Sequence, residues 1–375
     1  MIRPLLRRAG TVLGAALAAT LALAAPAAAH GADAPAATDY RTEVTGLAPA
    51  SAGLTVRAVE AGARLELVNR TGQDVVVIGY SGEPYLRVGP SGAYENTRSP
   101  ATYLNRTIAG DTRLSPDADP AATPVWRRIG DGPAVRWHDQ RTLWLADAPP
   151  AQVGVDPTRE HRVRDWAVPL RDGGGELTVR GTLDWVPPPD PYPWWVAAAL
   201  GFLALAAAGL LPARTGAGAR GLGAVGALLA VGGVGVVVLL VGRELDAGAQ
   251  GAGGLLAGLL TERVWALTTA VGAIAAGGWA LARRPAADFA LALAGAALAL
   301  FGGFANLAML SRAVAPVPWP AGWARVLVVL ALATGLGALG AGLLRLHAAA
   351  RPGTAPAPAP VDAGQGRGRA WGLNP

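Results

Sequence analysis

Five long runs of Ala, Gly, Leu and Val in the second half of the chain constrain its fold more than any other feature. Each run is close to the roughly 20 residues that a helix needs to cross a hydrocarbon core of about 30 Å. The whole chain is 52% hydrophobic and only 15% charged, which is too apolar for an ordinary soluble protein. We therefore predict an all-α bundle of about five transmembrane helices within residues 194–346. Their ranges are Trp194 to Leu211, Leu222 to Val241, Leu255 or Val264 to Leu281, Phe289 to Leu310, and Trp323 to Leu344.

Residues 1–29 have the pattern of a secretory signal peptide. Three arginines lie within the first eight residues, an apolar run covers residues 12–25, and Ala27-Ala28-Ala29 is a small-residue cleavage site. We expect cleavage before His30, followed by a flexible leader over residues 30–38. A retained signal anchor is the alternative, because residues 5–29 are almost long enough to span a bilayer.

Residues 39–186 have the pattern of an antiparallel β domain. Period-two alternation over residues 54–68, turn residues at 69–73 and a β-branched run at 74–80 predict a hairpin. Short strands that recur at regular spacing predict an immunoglobulin-like β-sandwich. Further predicted strands are Tyr85 to Val88, Val135 to Trp137, Thr142 to Leu145, His161 to Leu170 and Glu176 to Trp185. Residues 105–133 are predicted to form a long loop.

The segment that joins the two regions also sets the expected orientation. A Pro-rich spacer at 187–193 leads into Trp194 and Trp195, which are typical of a membrane interface. An exported β domain places residues 30–193 outside the plasma membrane and the C-terminus in the cytoplasm. The predicted inner loops and tail are rich in arginine, as the positive-inside rule requires. Residues 347–375, with Ala-Pro repeats and a Gly/Arg-rich run, are predicted to be a disordered cytoplasmic tail.

The absence of two residue types limits the reactions that the protein could catalyse. The chain has no Cys, which excludes thiol nucleophiles, thiolate metal sites and disulfides. It also has no Lys, which excludes a P-loop and a Schiff-base enzyme. The arginines are scattered instead of forming one basic patch, so nucleic acid is not an expected partner. No hydrolase or metalloprotease motif is present either, and we expect no enzymatic activity.

Three polar residues in or near the apolar runs are candidates for a function inside the membrane. Glu262 and Arg263 are interfacial residues if the third span begins at Val264, but lie within the membrane if it begins at Leu255. Asn306 lies in the fourth span, where a hydrogen bond between helices is the simpler explanation. Small residues four positions apart, such as Gly295 and Ala299, are expected to serve helix packing.

Three histidines of the exported half are candidates for metal ligands. Cleavage before His30 would place a free amino terminus beside an imidazole, and nitrogen ligands suit Cu(II). His138 and His161 could complete such a copper site. The alternative is that both are solvated or ion-paired surface residues.

Two families resemble parts of the chain. Ala27 to His30 and the strand pattern from Val44 to Tyr80 are similar to CopC-type copper-resistance proteins, some of which are fused to a CopD-type membrane domain. Three segments, Gly79 to Leu86, Arg136 to Arg141 and Arg164 to Leu170, resemble uncharacterised membrane proteins of high-GC Gram-positive bacteria that carry an exported β domain. The second resemblance implies the architecture but no activity.

The sequence therefore supports two functional hypotheses. In the first, the protein is a non-enzymatic binding or interaction module of the cell envelope, held at the lipid bilayer by its helices and able to assemble with envelope proteins. In the second, which the CopC/CopD resemblance implies, it binds copper at the cell surface and the bundle assists metal uptake.

Overall fold

The structure is a computed structural model, and it describes residues 36–351. The predicted signal peptide, His30 and most of the leader and tail lie outside the described residues. The described part contains an antiparallel β region followed by a helical bundle, as the sequence predicts.

The β domain, residues 39–186, consists of ten strands in two antiparallel sheets. Its strands are β1 Tyr40–Ala48, β2 Leu54–Val59, β3 Arg64–Asn69, β4 Val75–Ile78, β5 Pro84–Gly89, β6 Gly92–Asn96, β7 Trp126–Gly130, β8 Ala134–Trp137, β9 His161–Asp172 and β10 Gly175–Trp185. One sheet has seven strands in the order β1-β10-β9-β4-β5-β6-β7, and the other has three in the order β2-β3-β8. Two short helices, α1 Ala101–Leu104 and α2 Ala151–Val155, lie in the connections.

A single apolar core lies between the two sheets. Leu65 and Leu67 of the smaller sheet are fully buried, and Val168 and Leu170 of the larger sheet pack in the same cluster. In β9, buried Trp166, Val168 and Leu170 alternate with exposed neighbours, because successive side chains of a strand point to opposite faces. The period-two pattern therefore located this strand correctly.

The β domain also buries a charged network beside its core. Asp139 is completely buried and accepts hydrogen bonds from Nε1 of Trp137 at 3.0 Å and from Nε and Nη2 of Arg141 at 2.8 and 2.7 Å. The Arg141 guanidinium lies 4.9 Å from the centre of the Tyr80 ring. Burial, together with the charge of Asp139, raises the pKa of Tyr80 above its usual value.

Three predictions for the β domain are wrong. The turn residues at 69–73 do not close a hairpin, because β3 and β4 belong to different sheets. Thr142 to Leu145 is not a strand, because Asp139 caps a 3-10 turn at Gln140–Thr142 by accepting a hydrogen bond from the backbone nitrogen of Arg141. The predicted loop at 105–133 contains the edge strand β7. This strand is mostly exposed and therefore lacks the apolar alternation that reveals a buried strand.

The second half of the described chain contains five helices that are long and apolar enough to cross a membrane, so this is a multi-pass membrane protein. The helices of this region are α3 Tyr192–Ala207, α4 Gly216–Asp246, α5 Gly251–Thr261, α6 Val264–Leu281, α7 Ala287–Leu298, α8 Ala308–Ser311 and α9 Ala321–Ala350. The spanning helices are α3, α4, α6, α7 and α9. α3 continues through a 3-10 turn to Leu210, and α7 continues through a π-helical turn and a 3-10 turn to Asn306.

Glycines let the helices approach closely. A Cβ atom at Gly277 of α6 would collide with the carbonyl oxygen of Gly226 of α4, and a Cβ at Gly295 of α7 would lie 2.5 Å from the carbonyl oxygen of Gly335 of α9. Ala299 also lies in this α7–α9 contact. Small residues therefore do serve helix packing here, as the spacing indicated.

Candidate functional site

The chain leaves the regular helix pattern where α4 gives way to α6, and several charged residues of the bundle lie there. α4 ends at Asp246, the short apolar helix α5 follows, and α6 begins at Val264. Glu262 and Arg263 lie in the break between α5 and α6. Of the two proposed starts of the third span, the helix therefore begins at Val264.

Arg263 forms a buried ion pair with Glu244 of α4. Its Nε donates to Oε1 of Glu244 at 2.9 Å, and the two side chains are only 16% and 7% exposed. A Cβ atom at Gly258 would overlap the Glu244 carboxylate, so a larger residue there would require this side chain to move. Removing either partner would leave a buried charge without compensation, which is strongly unfavourable.

Asn306 connects the end of α7 to α4. It is 7% exposed, and its Oδ1 accepts a hydrogen bond from Nη1 of Arg243 at 2.7 Å. Its Nδ2 donates to the carbonyl oxygen of Gly302 at 3.0 Å, within the π-helical turn. The irregular turn frees carbonyl groups from the normal helical pattern, and the Asn306 amide satisfies one of them. The bond to Arg243 is a hydrogen bond between helices, which is the simpler of the explanations that the sequence suggests for Asn306.

These groups face a half-open pocket of about 430 Å³, which we call the junction pocket. It is lined by Ala36, Ala37, Leu240, Arg243, Glu262, Arg263, Trp265, Ala266, Phe301, Ala305, Asn306, Ala308 and Met309. The structure thus brings together all three intramembrane candidates and adds Arg243. The charged side chains that line the pocket are two guanidinium groups and the exposed carboxylate of Glu262.

The β domain is docked on the same end of the bundle. The backbone nitrogen of Ala61, in the β2–β3 turn, donates to Oδ2 of Asp246 at 2.8 Å. Asp39 is 2% exposed and accepts hydrogen bonds from the backbone nitrogen of Ala313 at 2.9 Å and from Nη1 of Arg312 at 2.5 Å. The two domains therefore meet through charged and backbone groups that are fixed on both sides.

A short β-bridge strengthens this contact. Thr38 and Val314 exchange two backbone hydrogen bonds, of 2.9 and 2.8 Å, just before β1 and just after α8. Nearby, burial and the charge of Asp39 raise the pKa of Tyr40, and Arg312 partly offsets the effect. The junction is thus partly desolvated, and interactions between charges are stronger there than in water.

Two of the candidate copper ligands, His138 and His161, do not line the junction pocket. His138 is only 2% exposed, its Nδ1 lies 2.8 Å from the carbonyl oxygen of Ala63, and its Nε2 accepts a hydrogen bond from Nε of Arg64 at 3.1 Å. The interpretation of His138 as a surface residue is therefore wrong. His161 is half-buried, with Nε2 2.6 Å from the carbonyl oxygen of Asp156.

Both ring nitrogens of His138 are thus engaged with protein groups. Within residues 36–351, no group of three or more His, Cys, Asp or Glu side chains is arranged to hold a metal ion. His30, on which the copper hypothesis depends, lies outside the described residues, so copper binding stays a prediction.

Sequence reasoning missed Arg243, Glu244, Asp246 and Asp39 as members of the site. Arg243 was expected in an outer loop, because the apolar run ends at Val241. The signal that could have found it is the absence of Gly or Pro between residues 243 and 247, in a segment of good helix formers. A helix that continues for one more turn carries these charges into the junction.

Comparison of the chain with protein-family models, with curated proteins and with solved structures gave no match. The resemblances to known families therefore remain predictions, and the function must be argued from the site.

Proposed function

We propose that this protein is a non-enzymatic binding module of the cell envelope, held at the plasma membrane by its five-helix bundle, and that it binds an anionic ligand in the junction pocket. The observation that carries the proposal is the meeting of Arg243, Arg263 and Asn306 around one cavity. Guanidinium groups with directed N–H donors are the side chains best suited to carboxylate and phosphate groups. Glu244 offsets the charge of Arg263, so the proposed recognition rests on the directed N–H donors of the two guanidinium groups and not on an excess of positive charge.

Binding fits the bundle better than coupled transport. Among the described residues, the buried charged side chains of the bundle lie near helix ends, with Glu244 beside half-buried Arg243 at one end and Arg345 with its partner Asp288 at the other. A groove of about 460 Å³ between α6 and α7 is lined by apolar residues and two threonines. A path for a charged substrate would need ionisable groups at mid-depth.

An extracytoplasmic β domain fits the distribution of arginines. Arg214, Arg283 and Arg284 lie in the two connections at the end of the bundle away from the β domain, Arg220 lies near the start of α4 at the same end, and all four are exposed. At the β-domain end, Arg263 and Arg312 are paired with carboxylates. Counted whether or not they are paired, the arginines at the β-domain end, Arg243, Arg263, Arg312 and Arg325, are outnumbered by the four exposed arginines of the opposite end together with Arg345 and Arg351, which favours the end away from the β domain as the cytoplasmic side.

The lack of cysteine gives a clean test of this orientation. Gly132→Cys in the β domain and Gly216→Cys at the start of α4 form a matched pair, because a Cβ at either position meets no atom within 4 Å. We expect a membrane-impermeant maleimide to label Gly132→Cys in intact cells, and Gly216→Cys only after permeabilisation. The opposite labelling pattern would overturn the proposed topology.

Ligand binding is tested by filling the pocket. Purified full-length protein is titrated with inorganic phosphate and, separately, with succinate, and binding is followed by calorimetry. Ala305 lines the pocket, so Ala305→Trp should abolish saturable binding of the probe that binds the wild type. Ala199→Trp, on an exposed face of α3, is the control and should bind normally. If neither probe binds, or if Ala305→Trp binds as well as the wild type, the pocket is not an anion site.

A further inference from the structure

A second cavity lies on the β-domain side of the junction. It has a volume of about 210 Å³ and is enclosed by the start of β1, the β2–β3 turn and the segment that follows the Gln140–Thr142 turn. Its polar and aromatic walls are formed by Glu60, Tyr40, Trp144 and Thr42. Drug-sized ligands occupy pockets of about 300–1,000 Å³, so this cavity suits a smaller molecule.

Glu60 gives the cavity its chemical character. The residue is 6% exposed, and its Oε1 accepts a hydrogen bond from Nη1 of Arg64 at 3.1 Å. Its Oε2 is buried and has no hydrogen-bond partner among residues 36–351. A buried carboxylate oxygen that lacks a donor is costly, and such groups in native proteins call for an explanation. An N–H donor supplied by a bound ligand would provide one.

Two aromatic rings form an apolar part of the cavity wall, in contrast to the charged Glu60. Tyr40 and Trp144 are stacked, with ring centres 6.4 Å apart and planes 22° apart. Trp144 is held in place because its Nε1 donates to the carbonyl oxygen of Ala148 at 2.9 Å, and Tyr40 packs edge-on against Trp185 at 5.4 Å. Aromatic faces attract cations and also cover alkyl groups.

The bundle holds Glu60 in position. Glu60 and Ala61 have left-handed backbone conformations, with φ of 58° and 54°, which are unfavourable for residues other than glycine. The turn is held there because the backbone nitrogens of Glu60 and Ala61 donate to the main-chain oxygen and Oδ2 of Asp246, at 3.3 and 2.8 Å. A strained residue that is fixed by its surroundings is common at binding sites.

From these observations we propose that the second cavity binds a small organic ammonium ion with N–H donors, which donates to Oε2 of Glu60 and rests its alkyl group on Tyr40 and Trp144. The second cavity and the junction pocket share Ala36 and Ala37 in their walls, but their polar groups are different. Because Asp246 fixes the turn that carries Glu60, a ligand bound here would also affect the C-terminal end of α4.

The probe for the test is n-propylammonium chloride, and its neutral counterpart is 1-propanol. Purified full-length protein is titrated with each by calorimetry, against potassium chloride at the same ionic strength. We expect saturable binding of n-propylammonium and none of 1-propanol. Glu60→Gln should weaken the affinity at least tenfold, because it removes the charge but keeps the shape. Trp144→Leu should also weaken it.

Glu176→Gln is the matched control, because Glu176 is an exposed acid of the same domain and should leave binding unchanged. Circular dichroism must show that each variant keeps the wild-type fold. Absence of saturable n-propylammonium binding by the wild type, or equal binding by folded Glu60→Gln, overturns the ammonium site. Neither result affects the phosphate and succinate titrations, so the two proposals fail independently.

Discussion

The β domain and the helical bundle bury different kinds of groups. In the β domain, carboxylates such as Asp139 and Glu66 are almost inaccessible, and each is held by arginine side chains. In the bundle, the close contacts are between backbones, at glycines such as Gly226 and Gly277. The difference follows from the two solvents. Water drives apolar side chains inward and leaves room for satisfied polar networks, whereas lipid offers no such force and favours close fit.

This comparison predicts different weaknesses for the two domains. The β domain should be most sensitive to the loss of a charged partner, and the bundle to added volume. The substitutions below are arranged from the largest expected effect to the smallest.

Asp139→Ala should have the largest effect. It leaves the partly buried guanidinium of Arg141 and the indole nitrogen of Trp137 without their acceptor. Breaking a buried ion pair by removing one partner costs about 3–5 kcal/mol. The measurement is denaturant unfolding of the full-length protein, followed by near-ultraviolet circular dichroism. Asp165→Ala is the control, because Asp165 is exposed and should matter little. Equal losses for the two variants would refute the role given to burial.

Gly277→Val should have the next largest effect. The new side chain meets the carbonyl oxygen of Gly226, and its Cβ would lie 3.1 Å from the backbone nitrogen of Ala230, so α4 and α6 must separate. Overpacking of this kind typically costs about 1–3 kcal/mol. The neighbouring Gly278 offers a matched control, because a Cβ there meets no atom within 4 Å. Thermal unfolding in one detergent should separate Gly277→Val from Gly278→Val, and identical midpoints would contradict close packing as the stabilising feature.

The parts of the fold that could be predicted are those with local sequence patterns. The five apolar runs predict five helices because length and hydropathy are properties of one segment, and β9 shows its alternation for the same reason. The edge strand β7 was missed because exposure removes that pattern. Propensity and periodicity cannot reveal an element that has no buried face.

The candidate site was only partly predictable. Glu262, Arg263 and Asn306 stand out because polar residues are rare near apolar runs. The other members of the site do not stand out in the sequence. Asp39, for example, contacts Arg312 across 273 positions of the chain. The burial of His138 likewise depends on Ala63 and Arg64, which are distant in sequence. Contacts of this kind are set by how the strands pack and how the domains dock, which a single sequence does not encode locally.

A substitution at the junction of the two domains should have a smaller effect than Asp139→Ala or Gly277→Val, because the junction joins a polar network to a helix end. Asp246→Ala removes the acceptor for the backbone nitrogen of Ala61. A hydrogen bond of this kind contributes about 1 kcal/mol net, which corresponds to roughly fivefold faster local exchange. Hydrogen exchange measured by mass spectrometry should show this increase in peptides that cover the β2–β3 turn. The control Glu176→Ala should leave that turn unchanged. Unaltered exchange in Asp246→Ala would mean that the bundle does not hold the turn.

The smallest effect should come from the exposed pair of Arg171 and Glu176, whose nearest nitrogen and oxygen atoms are 3.5 Å apart. The two side chains are 54% and 82% exposed, so water screens their attraction and ordering them costs entropy. Glu176→Gln should therefore change the free energy of unfolding by only about 0–1 kcal/mol. The matched substitution Glu66→Gln acts on a carboxylate that is 4% exposed and accepts from both Arg57 and Arg136. Because the two substitutions are chemically identical and both sites lie in the β domain, denaturant unfolding compares a buried carboxylate that has two arginine partners with an exposed one that has a single partner. A loss at Glu176 as large as that at Glu66 would show that charge itself, and not its burial, stabilises this domain.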